Sequence, residues 1–314
     1  MFPSLTSPCV PVETDLFPGI HLRIKRDDLL HPLVSGNKYR KLMAPLLQAA
    51  EKPAHIVSMG GLWSNHLHAL AAACQTLQAS ATALVRAAPG MNSAMLDDCR
   101  RAGMQLVFVN RDDYRQLRNG PQVWRRHCPD ARDDWLWLPE GGSAPAALAG
   151  VAQLVRELPE LPDQIFLACG TGATLAGIVA GLAGRSQVRG VAVFPGADYL
   201  RADIAGLLQA AGYPAYDNFR LLTDCHHGGY AKATPALLEF CREFVRQTGI
   251  PLEPVYTGKM LYALHRQCVR REIAAGSRVV AIHTGGLQGL RGFPDWQAAL
   301  SDCVSFTLPV SFTE

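Results

Sequence analysis

Short apolar runs that alternate with segments of helical periodicity constrain this chain more than any other feature. The clearest run covers residues 164–168, which are apolar after Gln164 and lead directly into a glycine-rich turn. Other apolar or β-branched runs lie at 56–59, 81–85, 105–109, 188–194 and 279–283. Because strands that alternate with helices form parallel sheets through right-handed crossovers, the sequence predicts an α/β fold.

The length of 314 residues suits two domains of ordinary size, or one large α/β unit. A further strand predicted at 133–138 leads into Pro139-Glu140-Gly141-Gly142-Ser143, where we expect the chain to return from an inserted domain. We therefore predict a large domain at 1–39 and 141–314 and a small inserted domain at 40–140. Each domain is expected to hold a mostly parallel twisted sheet flanked by helices.

Composition and charge exclude several classes of function. The net charge is only +3, so no basic field points to nucleic acid or to an anionic membrane. We expect no signal peptide and no apolar run long enough to span a bilayer. The nine cysteines are scattered without a CxxC pair, which indicates reduced thiols in the cytoplasm. Cys225-His226-His227 has no partner set at ligand spacing, so no metal site is predicted.

Two predicted strands are each followed by a turn that begins a helix. Both turns are suited to binding an anion. The run at 56–59 leads into Gly60-Gly61-Leu62-Trp63-Ser64-Asn65-His66, which places Ser64 and Asn65 at a helix N-terminus. The run at 164–168 leads into Cys169-Gly170-Thr171-Gly172-Ala173-Thr174, where glycines allow close approach and threonines add hydroxyl donors. A dinucleotide fingerprint needs glycine at position 175, which is leucine, so an NAD site is disfavoured.

Lys38 follows the turn Ser35-Gly36-Asn37 and precedes a helix predicted at 39–50. A lone lysine at a helix start is usually a solvated surface residue. A lysine held by a tight turn at a domain edge is instead partly desolvated, which lowers the pKa of its amine and frees the lone pair for Schiff-base chemistry. The neighbouring turns decide between these interpretations.

The three glycine turns, including the one after 279–283, and Lys38 are expected to meet at the carboxyl edge of a parallel sheet. A phosphate cradle, an amine that captures an aldehyde and a carboxylate pocket are what a pyridoxal phosphate enzyme needs. The motifs are Ser35-Gly36-Asn37-Lys38-Tyr39-Arg40-Lys41, Gly60-Gly61-Leu62-Trp63-Ser64-Asn65-His66, Gly170-Thr171-Gly172-Ala173-Thr174-Leu175-Ala176-Gly177, Pro254-Val255-Tyr256-Thr257-Gly258-Lys259 and His283-Thr284-Gly285-Gly286. In order and spacing they resemble the D-cysteine desulfhydrase and 1-aminocyclopropane-1-carboxylate (ACC) deaminase family. These are tryptophan synthase β-like pyridoxal phosphate enzymes of fold type II.

The resemblance implies a role for each matching residue. Lys38 would hold the cofactor's aldehyde and later move the substrate's α-proton. The resemblance implies that the cofactor phosphate is bound by Gly170, Thr171, Gly172, Ala173 and Thr174. It also implies that the substrate carboxylate is bound by Ser64, Asn65 and His66. Asn65 would also reach the phenolic oxygen of the cofactor, and Thr257 its pyridine nitrogen. Of Tyr230 and Tyr256, one would stack near the ring and the other would polarise the substrate or its leaving group. The turn His283-Thr284-Gly285-Gly286 would close the pocket behind the ring.

Simpler interpretations stand beside several of these roles. Tyr230 is alternatively an aromatic that packs a loop, and Ser64 and Thr257 are alternatively helix caps. Lys41 and Lys259 are expected to be ordinary surface charges. Trp63 and His68 depart from the family, which more often has a small polar residue or glutamine and an arginine at these positions.

Position 257 separates members of the family. ACC deaminases resemble one another in having glutamate there, and a carboxylate beside the pyridine nitrogen makes the ring a strong electron sink. Threonine shares only neutral hydrogen bonds, which favours prompt β-elimination. We therefore predict conversion of D-cysteine, or a related β-substituted D-amino acid, to pyruvate, ammonia and sulfide. The alternative in the family is ACC deamination to 2-oxobutyrate and ammonia, and outside it a nucleotide-binding oxidoreductase or a non-catalytic binding protein. The family resemblance also implies a homodimer.

Overall fold

The structure is a computed structural model that describes residues 5–47, 53–120 and 122–301. Ten strands in these residues form two sheets. The larger sheet has the order β1-β2-β10-β7-β8-β9, with all neighbours parallel except β1 and β2. Its strands are β1 (Cys9–Pro11), β2 (His21–Arg26), β7 (Gln164–Cys169), β8 (Gln187–Ala192), β9 (Phe219–Leu222) and β10 (Arg278–His283).

The smaller sheet is entirely parallel and has the order β5-β4-β3-β6. Its strands are β3 (His55–Gly61), β4 (Ser80–Arg86), β5 (Gln105–Val109) and β6 (Leu136–Leu138). The predicted α/β class with mostly parallel sheets is therefore confirmed. The domain boundaries at 39/40 and 140/141 stay a prediction.

Ten helices of eight residues or more flank the sheets in the described part of the chain. They are α1 (Asn37–Leu47), α2 (Asn65–Leu77), α3 (Ala94–Arg101), α4 (Arg111–Asn119), α5 (Ala147–Arg156), α6 (Ala173–Leu182), α7 (Leu200–Ala210), α8 (Pro235–Thr248), α9 (Thr257–Val269) and α10 (Pro294–Ser301). None of these helices is long and apolar enough to cross a membrane.

The ends of α1 and α9 affect the site, because Lys38 and Thr257 lie there. The helix predicted at 39–50 begins at Asn37, and its residues 48–50 lie outside the described residues. The helix α9 begins at Thr257 and ends at Val269. It ends there because Arg271 adopts a left-handed conformation, with φ of 56°.

Both faces of the larger sheet are covered, as the apolar character of β7 predicts. Ile165 and Leu167 are fully buried against the core that contains α5, α6 and α7. Phe166 and Ala168 point the opposite way, into the core that contains α8 and α9. The carboxyl end of β7 is thereby fixed between two layers of helices.

A buried group of charges fixes α1, which carries Lys38 as its second residue. Arg40 donates from Nε to Asp27 Oδ2 at 2.6 Å and from Nη1 to Glu157 Oε1 at 2.7 Å. Lys25 Nζ lies 2.5 Å from Glu157 Oε2. Since buried charges need paired partners, these contacts tie α1 to β2 and to the residue that follows α5.

Candidate active site

A cavity of about 1260 Å³ lies at the carboxyl ends of strands from both sheets. The turns after β3, β7 and β10 and the first turn of α1 line it. Ten predicted site residues are on its wall: Lys38, Ser64, Asn65, His66, Gly170, Thr171, Gly172, Thr174, Tyr230 and Tyr256. The other two, Ala173 and Thr257, are buried beside it but do not line it.

The Lys38 turn is held by the turn that follows β10. Gly36 has φ of 61°, and a Cβ on this residue would overlap the carbonyl oxygen of Thr284. The Asn37 backbone N–H donates to that same oxygen at 3.2 Å, and the Asn37 side chain donates from Nδ2 to Thr174 Oγ1 at 2.8 Å. Glycine is needed here because only glycine permits this close approach in a left-handed conformation.

The Lys38 amine has the properties of a nucleophile. It donates from Nζ to Asn37 Oδ1 at 2.8 Å. Burial lowers the pKa of Lys38 from its ordinary value of 10.5 to about 8, and the Glu253 carboxylate opposes part of this shift. A larger share of the amine is therefore unprotonated near neutral pH than in a solvated lysine, as attack on an aldehyde requires.

The turn after β7 forms a cradle at the N-terminus of α6. Gly172 caps this helix with φ of 81°, and Ala173 is its first residue. Ser143 donates from its hydroxyl to Thr171 Oγ1 at 2.5 Å, which fixes that side chain on the cavity wall. Unpaired N–H groups and the helix dipole favour an anion at this place.

Lys41 is buried, so the expectation that it is an ordinary surface charge was wrong. Its side chain is only 2% exposed and lines the cavity one turn along α1 from Lys38. Burial lowers the pKa of the Lys41 amine well below its ordinary value, and the nearby Lys38 charge lowers it further. Within the described residues Lys41 has no carboxylate partner. A phosphate in the neighbouring cradle would supply the missing opposite charge, so the residues present fit a phosphorylated cofactor. The spacing of three residues from Lys38 was the available signal in the sequence.

The turn after β3 places three predicted residues together. Ser64 is the cap of α2, as the simpler interpretation holds, because its hydroxyl accepts from the Leu67 N–H at 3.3 Å. It also lines the cavity, so capping and substrate binding are compatible. Asn65 Oδ1 is buried without a hydrogen-bond partner among the described residues. Such an atom points to a ligand donor that completes the site.

His66 is buried and neutral. Burial lowers the pKa of its imidazole well below 6.5, and the charges of Lys41 and Lys38 lower it further. Ser58 donates from its hydroxyl to the Leu138 carbonyl at 2.8 Å and lies 2.8 Å from His66 Nε2. The hydroxyl therefore accepts from Nε2–H, which leaves Nδ1 of His66 as an acceptor.

Tyr230 and Tyr256 form a hydroxyl pair on the cavity wall. Tyr256 donates from its hydroxyl to the Tyr230 hydroxyl at 3.1 Å, and the rings meet edge to face at 5.9 Å. Burial raises the pKa of both phenols, and the Tyr230 hydroxyl contributes to the rise at Tyr256. Both remain protonated near neutral pH, so the pair is able to donate to a ligand.

Glu253 is a cavity residue that was not predicted from the sequence. Its carboxylate accepts from the backbone N–H groups of Val255 at 2.7 Å, Tyr256 at 2.9 Å and Thr257 at 2.5 Å. Burial raises its pKa to about 7, although these N–H groups favour the charged form. An acid just before a helix start was the signal in the sequence. Thr257 is therefore the first residue of α9 rather than its cap, and its contact with a pyridine nitrogen stays a prediction.

Lys259 is the second lysine wrongly expected at the surface. It is fully buried and donates from Nζ to the carbonyl oxygens of Gly229 at 2.8 Å and Val193 at 3.1 Å. Gly229 precedes Tyr230, so Lys259 holds the backbone of the loop that carries this tyrosine.

The two departures from the family pattern lie against the end of the described chain. The Trp63 ring lines the cavity and packs against Gly292, where a Cβ would approach within 3.1 Å of the ring. His68 Nε2 lies 3.2 Å from Asp98 Oδ2, which is 2.5 Å from Arg291 Nη2. Asp98 thus links α2 and α3 to the segment after β10, beside one wall of the cavity.

Comparison with known proteins defines the class. A family model described as pyridoxal-phosphate dependent enzyme matches residues 6–285. The chain therefore belongs to the pyridoxal-phosphate dependent enzymes: its cofactor is pyridoxal 5'-phosphate and its fold is the tryptophan synthase β-like fold type II. The predicted family resemblance is confirmed by the relatives described next.

Three similar proteins narrow the relationship within the family. The chain is 30% identical over 309 residues to the mitochondrial bifunctional D-cysteine desulfhydrase/ACC deaminase of Arabidopsis thaliana, covering 90% of this chain and 76% of that one. It is 26% identical to the D-cysteine desulfhydrase of Salmonella paratyphi A, covering 87% and 88% of the two chains. The crystal structure of an ACC deaminase homologue superposes with a TM-score of 0.80 at 26% identity, covering 94% of each chain.

Proposed function

We propose that this enzyme catalyses α,β-elimination from D-cysteine, or from a related β-substituted D-amino acid, giving pyruvate, ammonia and sulfide. The observation that carries the proposal is the placement of the desolvated Lys38 amine and the Tyr230–Tyr256 hydroxyl pair on one cavity. A base for the α-proton and an acid near the leaving group are the two groups that elimination needs.

The cofactor, when bound, supplies an aldehyde for the substrate amine and a ring that withdraws electrons from Cα. Ser64 and Asn65 at the start of α2 would bind the substrate carboxylate, beside the neutral His66. The Lys38 amine would take the proton from Cα. A tyrosine hydroxyl would donate a hydrogen bond to the departing sulfur, which stabilises the thiolate as the Cβ–S bond breaks.

Lys41 and the turn from Gly170 to Thr174 are the residues that we propose for the cofactor phosphate. The buried Lys41 amine lacks an opposite charge among the described residues, and the N-terminus of α6 offers backbone donors. Thr257 and Asn65 are proposed for the ring substituents, as the family resemblance implies. The turn after β10 would close the site behind the ring, next to the Lys38 turn.

The test is the release of sulfide and pyruvate by purified enzyme, with D-cysteine, L-cysteine and ACC in parallel. Lys38→Ala should abolish turnover, while Lys232→Ala, which changes an exposed lysine, should retain it. Undiminished sulfide release by Lys38→Ala would refute the assignment. The absorption spectrum reports cofactor loading independently of turnover.

ACC deamination is the second candidate because a carboxylate does lie near position 257. Glu253 accepts from the Thr257 N–H, and its pKa of about 7 leaves it partly ionised at neutral pH. The same assay decides between the candidates: 2-oxobutyrate from ACC, without sulfide from D-cysteine, would select the deaminase.

We further propose that the enzyme is a cytoplasmic homodimer that acts on a small amino acid and needs no nucleic acid or membrane. The family resemblance and the small net charge of +3 support this. Sedimentation equilibrium of the purified holoenzyme and fractionation of cells that express it test the two statements. A monomer at micromolar concentration, or recovery with membranes, would contradict them.

A further inference from the structure

The cavity extends beyond the space needed for a cofactor and a small amino acid. Its volume of about 1260 Å³ exceeds the range of roughly 300–1,000 Å³ that is usual for ligand pockets. Its outer part is lined by three arginines: Arg86 at the end of β4, and Arg115 and Arg118 on α4.

Two of these three arginines are paired with acids. Arg118 lies 2.6 Å from Glu140, which also accepts from the Tyr114 hydroxyl at 2.7 Å. Arg115 lies 2.6 Å from Asp112 on its own helix. Each of these two side chains therefore has an acidic neighbour.

Arg86 differs from the other two arginines in its charge partners. Its guanidinium lies over the Tyr114 ring, 5.1 Å from the ring centroid, and the Arg118 guanidinium lies over the same ring at 5.3 Å. Within the described residues it has no acidic partner. The stacked ring orients the guanidinium and leaves its N–H groups for a ligand.

The position of Arg86 relates it to the chemistry. In the smaller sheet Arg86 is the register partner of Gly61, which begins the turn leading to Ser64. Its positive charge also lowers the pKa of Tyr230, in opposition to burial. A substituent that extends from Cβ past the tyrosine pair would therefore approach Arg86.

The acids near this part of the cavity do not cancel the charge of Arg86. Glu140 is held by Arg118 and Tyr114. Asp203 lines the cavity from α7, where its charge acts on Tyr199. The charges of Arg86 and Glu140 both act on Tyr230, which places the Arg86 guanidinium and the tyrosine pair on the same side of the cavity.

We propose that Arg86 binds an anionic group at the far end of the β-substituent. The substrates then include D-amino acids whose leaving group carries its own negative charge, such as a phosphate, sulfonate or carboxylate. This inference rests on the proposed function and adds a substrate class to it. A planar guanidinium donates two parallel hydrogen bonds to such oxyanions.

O-phospho-D-serine is a suitable probe, and its elimination balances without a redox partner. The Cα–H proton is taken by the Lys38 amine, and the Cβ–O bond breaks with its electron pair going to phosphate. Addition of one water molecule to the remaining product then gives pyruvate and ammonia. β-Chloro-D-alanine is the matched probe, because its leaving group is small and carries no ionic group before it leaves.

The experiment measures kcat/KM of the holoenzyme for both probes in wild type, Arg86→Gln and Arg115→Gln. We expect the ratio of O-phospho-D-serine to β-chloro-D-alanine to fall about tenfold in Arg86→Gln, the effect of one charged hydrogen-bonded contact, and to change less than about twofold in Arg115→Gln. Arg86→Lys should restore part of the ratio, because it keeps the charge without the planar fork. Equal ratios in wild type and Arg86→Gln, or an equal fall in Arg115→Gln, would overturn the inference.

Calorimetric binding of O-phospho-D-serine separates this inference from the proposed function. If neither probe and no D-cysteine is turned over, the proposed elimination fails. Tighter binding of O-phospho-D-serine than of D-serine, lost in Arg86→Gln, would still establish the anion subsite. Turnover of D-cysteine without such a preference would leave the proposed function standing and refute the subsite.

Discussion

The protonation of the buried Glu253 carboxyl should make the stability of the folded protein depend on pH. The folded state raises the pKa of this carboxyl from 4.5 to about 7, chiefly because the group is buried. The folded protein thus holds the proton more tightly than the unfolded chain. As the pH rises from 4.5 to 7, Glu253 ionises in the unfolded chain but stays protonated in the folded protein. The free energy of unfolding therefore falls over this range. Below this window the loss is absent, and above it the loss is complete.

The magnitude follows from the shift. One pKa unit corresponds to about 1.4 kcal/mol, so a shift from 4.5 to about 7 amounts to roughly 3 kcal/mol. Glutamine does not ionise, but its amide nitrogen cannot accept from the backbone N–H groups that face both oxygens of Glu253. The free energy of unfolding of Glu253→Gln should therefore lie below that of wild type near pH 5, and relative to wild type it should rise by roughly 2–3 kcal/mol between pH 5 and pH 8.

Urea unfolding followed by tryptophan fluorescence, at several pH values between 5 and 8, measures the free energy of unfolding of both proteins. Glu239→Gln, which changes an exposed glutamate on α8, is the control and should differ from wild type by less than about 0.5 kcal/mol throughout. A difference between Glu253→Gln and wild type that does not change with pH would refute the reasoning. It would mean that the three backbone N–H groups outweigh burial and keep Glu253 ionised.

Two further substitutions test other parts of the site. Lys41→Met keeps the packing volume but removes the buried amine. Because a charged contact is lost, we expect the dissociation constant of pyridoxal 5'-phosphate, measured by equilibrium dialysis, to rise at least about tenfold. Unchanged affinity would contradict the proposed phosphate contact. Asp98→Asn leaves His68 and Arg291 without their carboxylate and should lower the free energy of unfolding by about 3 kcal/mol in urea titrations. A loss below about 0.5 kcal/mol would show that solvent compensates the Arg291 charge.

The bounds of strands could be predicted from the sequence where the local pattern and the burial of the segment agree. β5 has the predicted bounds, and β7 and β10 extend by one residue beyond them. Other elements have weak local patterns. The edge strands β1 and β9 are only three and four residues long. The helix α4 buries only Tyr114 and Leu117 among polar neighbours, so it has no apolar stripe from which it could be predicted.

The site was predictable where a motif fixes the backbone and unpredictable where distant residues decide the environment. The turns of Lys38 and Gly172 follow from local chemistry. The burial of Lys259 depends on the carbonyl groups of Val193 and Gly229, which are distant in sequence. Since buried lysines are rare without such partners, a surface position was the natural expectation. The same holds for Lys41, whose surroundings are created by another part of the chain.

The pairing of β2 with β10 has a consequence for synthesis. Residues 21–26 of the first part of the chain align with residues 278–283, and the Lys38 turn rests on the carbonyl of Thr284. When a ribosome has synthesised only β2 to β9, Lys38 is already part of the nascent chain. The strand β10 and the Thr284 carbonyl that hold the Lys38 turn have not yet been made. Closing so long a loop is entropically costly and slow. The nascent chain must therefore wait for nearly its whole length before it gains the ability to capture its coenzyme.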